Sequence, residues 1–220
     1  MVENRVACAQ TLSGTGALRL AIQFLHKFHP GKAVFVPKPT WGNHKKIALH
    51  TGFTDIREYS YFDPSNKNLN RDGLLKDLES APEGSIILFH GCAQNPCGVD
   101  PSEDDWKMIA DIVAKKNMIT VFDVAYQGFV TGCPDLDAWS LRYFVELGLE
   151  VFFCQSFAKI FGLYNERVGN IGVVCKNSTL AMNVQSHLKT IIRPMYSNPP
   201  NHGARIVSTI LNNKALETEW

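Results

Sequence analysis

The chain alternates short apolar runs with longer stretches of helical periodicity. "AVFVP" (33–37), "SIILFH" (85–90), "MITVFD" (118–123), "VFFCQS" (151–156) and "NIGVVC" (170–175) are apolar along their length. Runs of that length and composition predict buried strands. Between them, "GALRLAIQFLHKF" (16–28) places Leu18, Ile22 and Leu25 on one helical face. "SEDDWKMIADIVAKK" (102–116) predicts another helix, opened by a capping box in which Asp105 stands three residues after Ser102 in the usual place of Glu. Lys115 and Lys116 close it near the negative end of the helix dipole. Strands alternating with helices predict an α/β fold with a mostly parallel sheet flanked by helices. No internal repeat, low-complexity tract or linker interrupts the 220 residues.

In such sheets ligands sit at the C-terminal ends of the strands. Three of the predicted strand ends and one helix start carry chemistry. The strand at 85–90 runs into "HGCAQNPCG", with Asn95 before Pro96, a bond expected to be cis. The strand at 118–123 ends in Asp123, with Tyr126 just beyond. The strand at 151–156 ends in Ser156, three residues before Lys159. "TLSGTGAL" (11–18) puts Ser13, Gly14 and Thr15 at a helix start, where exposed N–H groups suit an anion such as a phosphate.

Lys159 sits among Phe157, Ala158, Ile160 and Phe161 with no acidic residue beside it. Two readings stand at this point. Either its stem packs on nearby aromatics at the surface, or apolar surroundings disfavour the ammonium and leave a nucleophilic amine. Taken singly, "SGTG" is equally a plain helix cap, Asp123 a cap for the next helix, Asn95–Pro96 a turn and Trp41 a core residue. Taken together they offer an anion cradle, an amine, an acid, a phenol, an amide and a flat ring. That set matches what pyridoxal phosphate requires, a lysine for the Schiff base and an acidic partner for the pyridine nitrogen.

Composition narrows the classes without choosing one. A hydrophobic content of 45% with 20% charged residues is that of an ordinary soluble domain. A net charge of +1 gives no electrostatic reason to expect a nucleic acid or a membrane surface as partner. No apolar run approaches a membrane span, and "MVENRVACAQ" has no signal-peptide pattern. The six cysteines and seven histidines show no metal-ligand spacing, so no metal is expected.

"SGTGAL", "PKPTWGNH", "NPCGVDP", "FDVAYQGF", "QSFAKIFGLYNERVG" and "RPMYSNPPNHGARI" resemble, in order, the successive motifs of the aspartate aminotransferase family. The resemblance implies the type I fold of pyridoxal phosphate enzymes, a homodimer, and transamination between aspartate and 2-oxoglutarate. It implies that Lys159 carries the cofactor and then moves the substrate proton, that Asp123 pairs with the pyridine nitrogen, and that His44 stands behind Asp123. Tyr126 and Asn95 are implied to meet the phenolic oxygen, and Trp41 to stack on the ring. Ser13, Gly14, Thr15, Ser156 and Arg167 are implied to hold the phosphate. Arg193, with Ser197 nearby, is implied to bind the substrate's distal carboxylate in the partner's active site, and Trp41 and Asn95 to line the substrate position.

"RPMYSNPP" and "QSFAK" lean toward the mitochondrial branch over the cytoplasmic one. The family's N-terminal arm and the small domain that supplies the α-carboxylate arginine have no counterpart in 1–220. The chain is therefore expected to be the large cofactor-binding domain, with reduced turnover. Two other functions fit the same residues: a non-catalytic cofactor-binding or dimerising module, and an aminotransferase for aromatic amino acids.

Overall fold

The computed structural model describes residues 4–31 and 33–220. Strand β1 (Val6–Leu12), helix α1 (Ser13–Phe28), β2 (Ala33–Lys38), α2 (Asn43–Thr51) and β3 (Asp55–Ser60) come first. A two-stranded ribbon, β4 (Phe62–Asp63) with β5 (Asn68–Leu69), leads into α3 (Arg71–Ser80). Then follow β6 (Ile86–His90), α4 (Glu103–Lys115), β7 (Ile119–Val124), α5 (Pro134–Asp137), α6 (Trp139–Glu146), β8 (Val151–Ser156) and β9 (Val168–Val174). Three helices complete the chain: α7 (Ser178–Met195), α8 (His202–Leu211) and α9 (Lys214–Glu219).

The main sheet has seven strands in the order β1-β9-β8-β7-β6-β2-β3. Its centre, from β3 to β8, is parallel, and β9 and β1 are antiparallel additions at one side. The expected fold class therefore holds, with five predicted strands and both predicted helices in place. The capping box of α4 is formed, Ser102 accepting from the Asp105 N–H while the Asp105 carboxylate accepts from the Ser102 N–H. The motif strand "NIGVVC" runs antiparallel to its neighbours. Its partner β1 escaped the sequence reading because "VACAQTL" mixes polar and apolar positions at an edge, where only one face is buried.

Two apolar layers sandwich the sheet, and strand alternation decides which layer each side chain joins. Ile86, Leu88, Val121, Phe152 and Cys154 pack with α1, α2 and α7. Ile87, Phe89 and Phe122 pack on the other face with Trp106 of α4 and Phe144 of α6. Continuing each strand by two positions along the first face reaches His90, Asp123 and Ser156. The period of two thus delivers all three polar residues to the α1–α2 side, at neighbouring C-terminal strand ends.

Candidate active site

At those strand ends lies a cleft of about 600 Å³. Asp123 forms its floor and is 8% exposed. Its Oδ2 accepts from His44 Nε2 at 3.0 Å. Behind it the chain continues: His44 Nδ1 meets Thr40 Oγ1 at 2.7 Å, and the same hydroxyl meets His90 Nε2 at 3.1 Å. Asp123 Oδ1 has no partner among the described residues. Burial on its own raises the Asp123 pKa. The His44 hydrogen bond and the charges of His44, His90 and Lys159 outweigh that and hold the carboxyl below its usual range. Burial pushes His90 down to about 4, against the pull of Asp123. At neutral pH the cleft floor therefore presents a carboxylate, with an uncharged His90 at the far end of the hydrogen-bonded chain behind it.

A second corner is built from the N-terminus of α1. Ser13 takes a left-handed backbone, φ 61°, and its N–H donates to Arg167 O at 3.1 Å. Arg167 is also left-handed, φ 53°, and its Nη1 donates to Tyr164 O at 2.8 Å. Non-glycine residues rarely adopt that region, and such positions gather at ligand clamps. The Ser13 and Ser156 hydroxyls meet at 2.9 Å. Space here admits little else: a Cβ on Gly14 would stand 3.0 Å from Ser156 Cβ, and one on Gly169 only 2.4 Å from the Ser13 carbonyl carbon. No acidic residue occupies the first turn of α1, so its positive end is uncompensated by the chain.

Facing these two corners is Lys159, half-buried in the turn after β8. Its apolar neighbours do not enclose it as the sequence suggests, since Phe157 and Phe161 pack edge to face with each other. The Lys159 Nζ instead lies 5.1 Å from the Tyr126 ring centre and 5.6 Å from that of Tyr164. Among the described residues no carboxylate forms an ion pair with it.

With that geometry in hand, the family follows from comparison. The profile of "Aminotransferase class I and II" matches residues 1–220. The chain belongs to this aminotransferase family. It is 50% identical over 218 residues to "Aspartate aminotransferase, cytoplasmic" of Caenorhabditis elegans, covering 99% of this chain and 53% of that one. The chain thus spans about half the length of the curated relatives it matches. It superposes with a TM-score of 0.97 and 40% identity on a putative aspartate aminotransferase from Leishmania major Friedlin, over 99% of this chain and 55% of that one. A TM-score of 0.96 at 37% identity relates it to an aromatic-amino-acid aminotransferase from Burkholderia pseudomallei, whose structure is covalently bound to pyridoxal phosphate. That match covers 99% of this chain and 54% of the other.

In this aminotransferase chain the ten positions expected to bind a cofactor, Ser13, Gly14, Thr15, Trp41, Asn95, Asp123, Tyr126, Ser156, Lys159 and Arg167, all line the one cleft. His44 is buried behind Asp123, and Trp41 meets it edge-on at 5.3 Å. Arg193 lies elsewhere. It is exposed near the end of α7 and hydrogen-bonds Ser197.

The Asn95–Pro96 bond is cis, as is Lys38–Pro39, which the sequence reading did not flag. Sequence reasoning also missed Thr40, His90 and Tyr164. His90 ends a predicted strand beside Asp123, so its register was available as a signal. Gln94 and Asp100 were missed too, though they fix the Asn95 loop. Asp100 accepts from the Ala93 and Gln94 N–H groups, and Gln94 Nε2 donates to Pro39 O.

Proposed function

We propose that this chain forms the cofactor-binding large domain of a pyridoxal phosphate-dependent aspartate aminotransferase, which moves the amino group of L-aspartate to 2-oxoglutarate and yields oxaloacetate and L-glutamate. The observation that carries this reading is one cleft walled by an amine, Lys159, by a buried carboxylate, Asp123, and by an uncompensated helix start whose Ser13 meets Ser156 at the end of β8. The donor set fits the cofactor's three ends. Ser13, Ser156, Arg167 and the N–H groups of α1 suit a phosphate. Asp123 Oδ1 is free for a protonated ring nitrogen, and Lys159 forms no ion pair with a carboxylate among the described residues.

Pyridoxal phosphate supplies an aldehyde for covalent attachment and a ring that draws electrons from the substrate's α-carbon. Everything else falls to the chain's own groups. Asp123, kept ionised by its partners, holds a proton on the ring nitrogen. His44 fixes the orientation of that carboxylate, and Thr40 and the neutral His90 fix His44 in turn. Trp41 offers a flat face, and Tyr126 and Asn95 offer polar tips toward the phenolic oxygen. Lys159 would hold the cofactor and would move the proton at the substrate's Cα.

Arg193 stands outside this chain's own cleft, which supports a homodimer in which each copy lends Arg193 to the other to grip the distal carboxylate. A planar guanidinium suits that task. Aspartate is preferred over aromatic substrates in this reading because the aspartate aminotransferase relative is 50% identical and the aromatic neighbour 37%. The leaning toward a mitochondrial enzyme rests on "RPMYSNPP" and "QSFAK" alone. The test is a half-reaction: the chain loaded with pyridoxal phosphate is given L-aspartate or L-phenylalanine, and release of the oxo acid is measured. Oxaloacetate release well above phenylpyruvate release supports the proposal. Equal rates favour the aromatic reading, and no release with a bound cofactor favours a non-catalytic module.

A further inference from the structure

The turn that carries Lys159 has few supports of its own. The Phe157 N–H donates to Val168 O at 3.0 Å and ties the start of the turn to β9. Beyond that point the Ala158 N–H donates to Ser156 Oγ at 3.3 Å, and among the described residues the turn's backbone is closed by the Phe161 N–H to Phe157 O bond at 3.3 Å and the Gly162 N–H to Lys159 O bond at 3.1 Å. What meets its outer side is the C-terminal end of α9. Trp220 Nε1 donates to Ile160 O at 3.1 Å, and the indole stacks on Phe161 with ring centres 4.4 Å apart and planes 13° apart. The two residues it grips are the two that follow Lys159. The same indole lines a groove with Gln127 and Phe129, which follow Tyr126 in the chain.

We propose that Trp220 is a positioning residue for Lys159, clamping the lysine's turn through one backbone carbonyl and one ring face. An indole suits this because its single N–H donates in the ring plane while its face remains free to stack. Trp220 lies outside the cleft and touches no reacting group, so it acts only through the turn. The need for such a clamp follows from the chemistry. A reactive amine displaced from proper alignment by about 1 Å loses on the order of a hundredfold in rate, and a turn outside any helix or strand cannot supply that alignment unaided. The role assigned to the lysine rests on the proposed function; the clamp itself does not.

The experiment reads hydrogen exchange of residues 157–162 in the full chain without cofactor, then the pH titration of the lysine-bound cofactor's absorbance, then kcat and KM for aspartate. Trp220→Ala is expected to speed exchange in that segment about tenfold, since an opening free energy falls with each support removed. It is expected to shift the titration and to lower kcat about tenfold with KM changed less than threefold. Trp220→Phe, which keeps a ring for the stack, is expected to restore most of each effect. Should Trp220→Ala fail to fold, Phe161→Leu removes the stack from the other side and is expected to speed exchange in the same segment. Unchanged exchange in the folded variants overturns the clamp. Faster exchange with an unmoved titration and kcat makes Trp220 merely structural and overturns its positioning role. A failure of the functional reading looks different: the unsubstituted chain shows no lysine-bound absorbance at any pH, which removes the positioning role with it.

Discussion

Asp123 stands on the central strand β7 with His44, Thr40 and His90 chained behind it, whereas Lys159 stands on a turn with its Nζ over two aromatic rings and no ion pair among the described residues. The carboxylate is 8% exposed and the amine half-buried. The difference matches what each would do in the proposed function. A group that holds a fixed charge gains from a rigid, dry, hydrogen-bonded setting, where its electrostatic effect is largest and costs no reorganisation. A group that must attach, detach and carry a proton needs freedom to swing, so its backbone is restrained from outside while its head stays unpaired. Stability and reactivity are thereby separated onto two walls.

Substituting the mobile wall sharpens that contrast most. Lys159→Ala is expected to abolish covalent attachment and to lower kcat by about a thousandfold or more, the scale of lost acid–base catalysis. Its unfolding free energy is expected to change by less than about 1 kcal/mol, because a half-buried residue without an ion pair leaves no charge stranded. Chemical denaturation alongside the half-reaction checks both.

The rigid wall should fail on both counts. Asp123→Ala is expected to lower kcat by about a hundred to a thousandfold, as for loss of one preorganised electrostatic partner. It is also expected to destabilise the fold by about 1–3 kcal/mol, because His44 Nε2 is left buried and unpaired. A variant with altered kcat and unaltered stability would break the comparison.

The buried network also sets a pH dependence. His90 is held down at about 4 from an ordinary 6.5, so the unfolded chain takes up its proton first as pH falls. Stability from this group is complete above about pH 6.5 and is lost toward pH 4. The gap corresponds to roughly 3 kcal/mol at about 1.4 kcal/mol per pH unit. Asp123, whose pKa is lowered, retains its contribution until still lower pH. Urea unfolding at several pH values is expected to show this decline, and His90→Gln is expected to flatten it between pH 6.5 and 4. The smallest effect belongs to Arg193, which lies on neither wall. Arg193→Leu is expected to leave stability unchanged and to cost about ten to a hundredfold in kcat/KM for aspartate, from loss of a charge-assisted contact. Phenylalanine turnover should be far less affected.

How legible each wall was in the sequence differs in the same way. Asp123 and Ser156 were readable because they end apolar runs, and a period of two fixes which face a strand residue joins. Lys159 was visible as an oddity of composition, but its surroundings were not. The sequence neighbours Phe157 and Phe161 pair with each other, and the rings that meet Nζ come from Tyr126, 33 positions earlier, and from Tyr164 across the turn. The Thr40–His90 link and the Trp220–Ile160 bond join positions 50 and 60 apart, and periodicity within one element carries no information about such contacts. β1 was missed for a related reason: an edge strand half open to other elements lacks the continuous apolar run of a central one.

The central claim, that the free amine facing Asp123 is the one that takes the cofactor, is tested most directly by trapping it. The chain is incubated with pyridoxal phosphate, reduced with borohydride, digested and mapped by mass spectrometry. The account predicts a single pyridoxyl group on Lys159, absent from Lys159→Ala. A label on another lysine with Lys159 unmodified would contradict it.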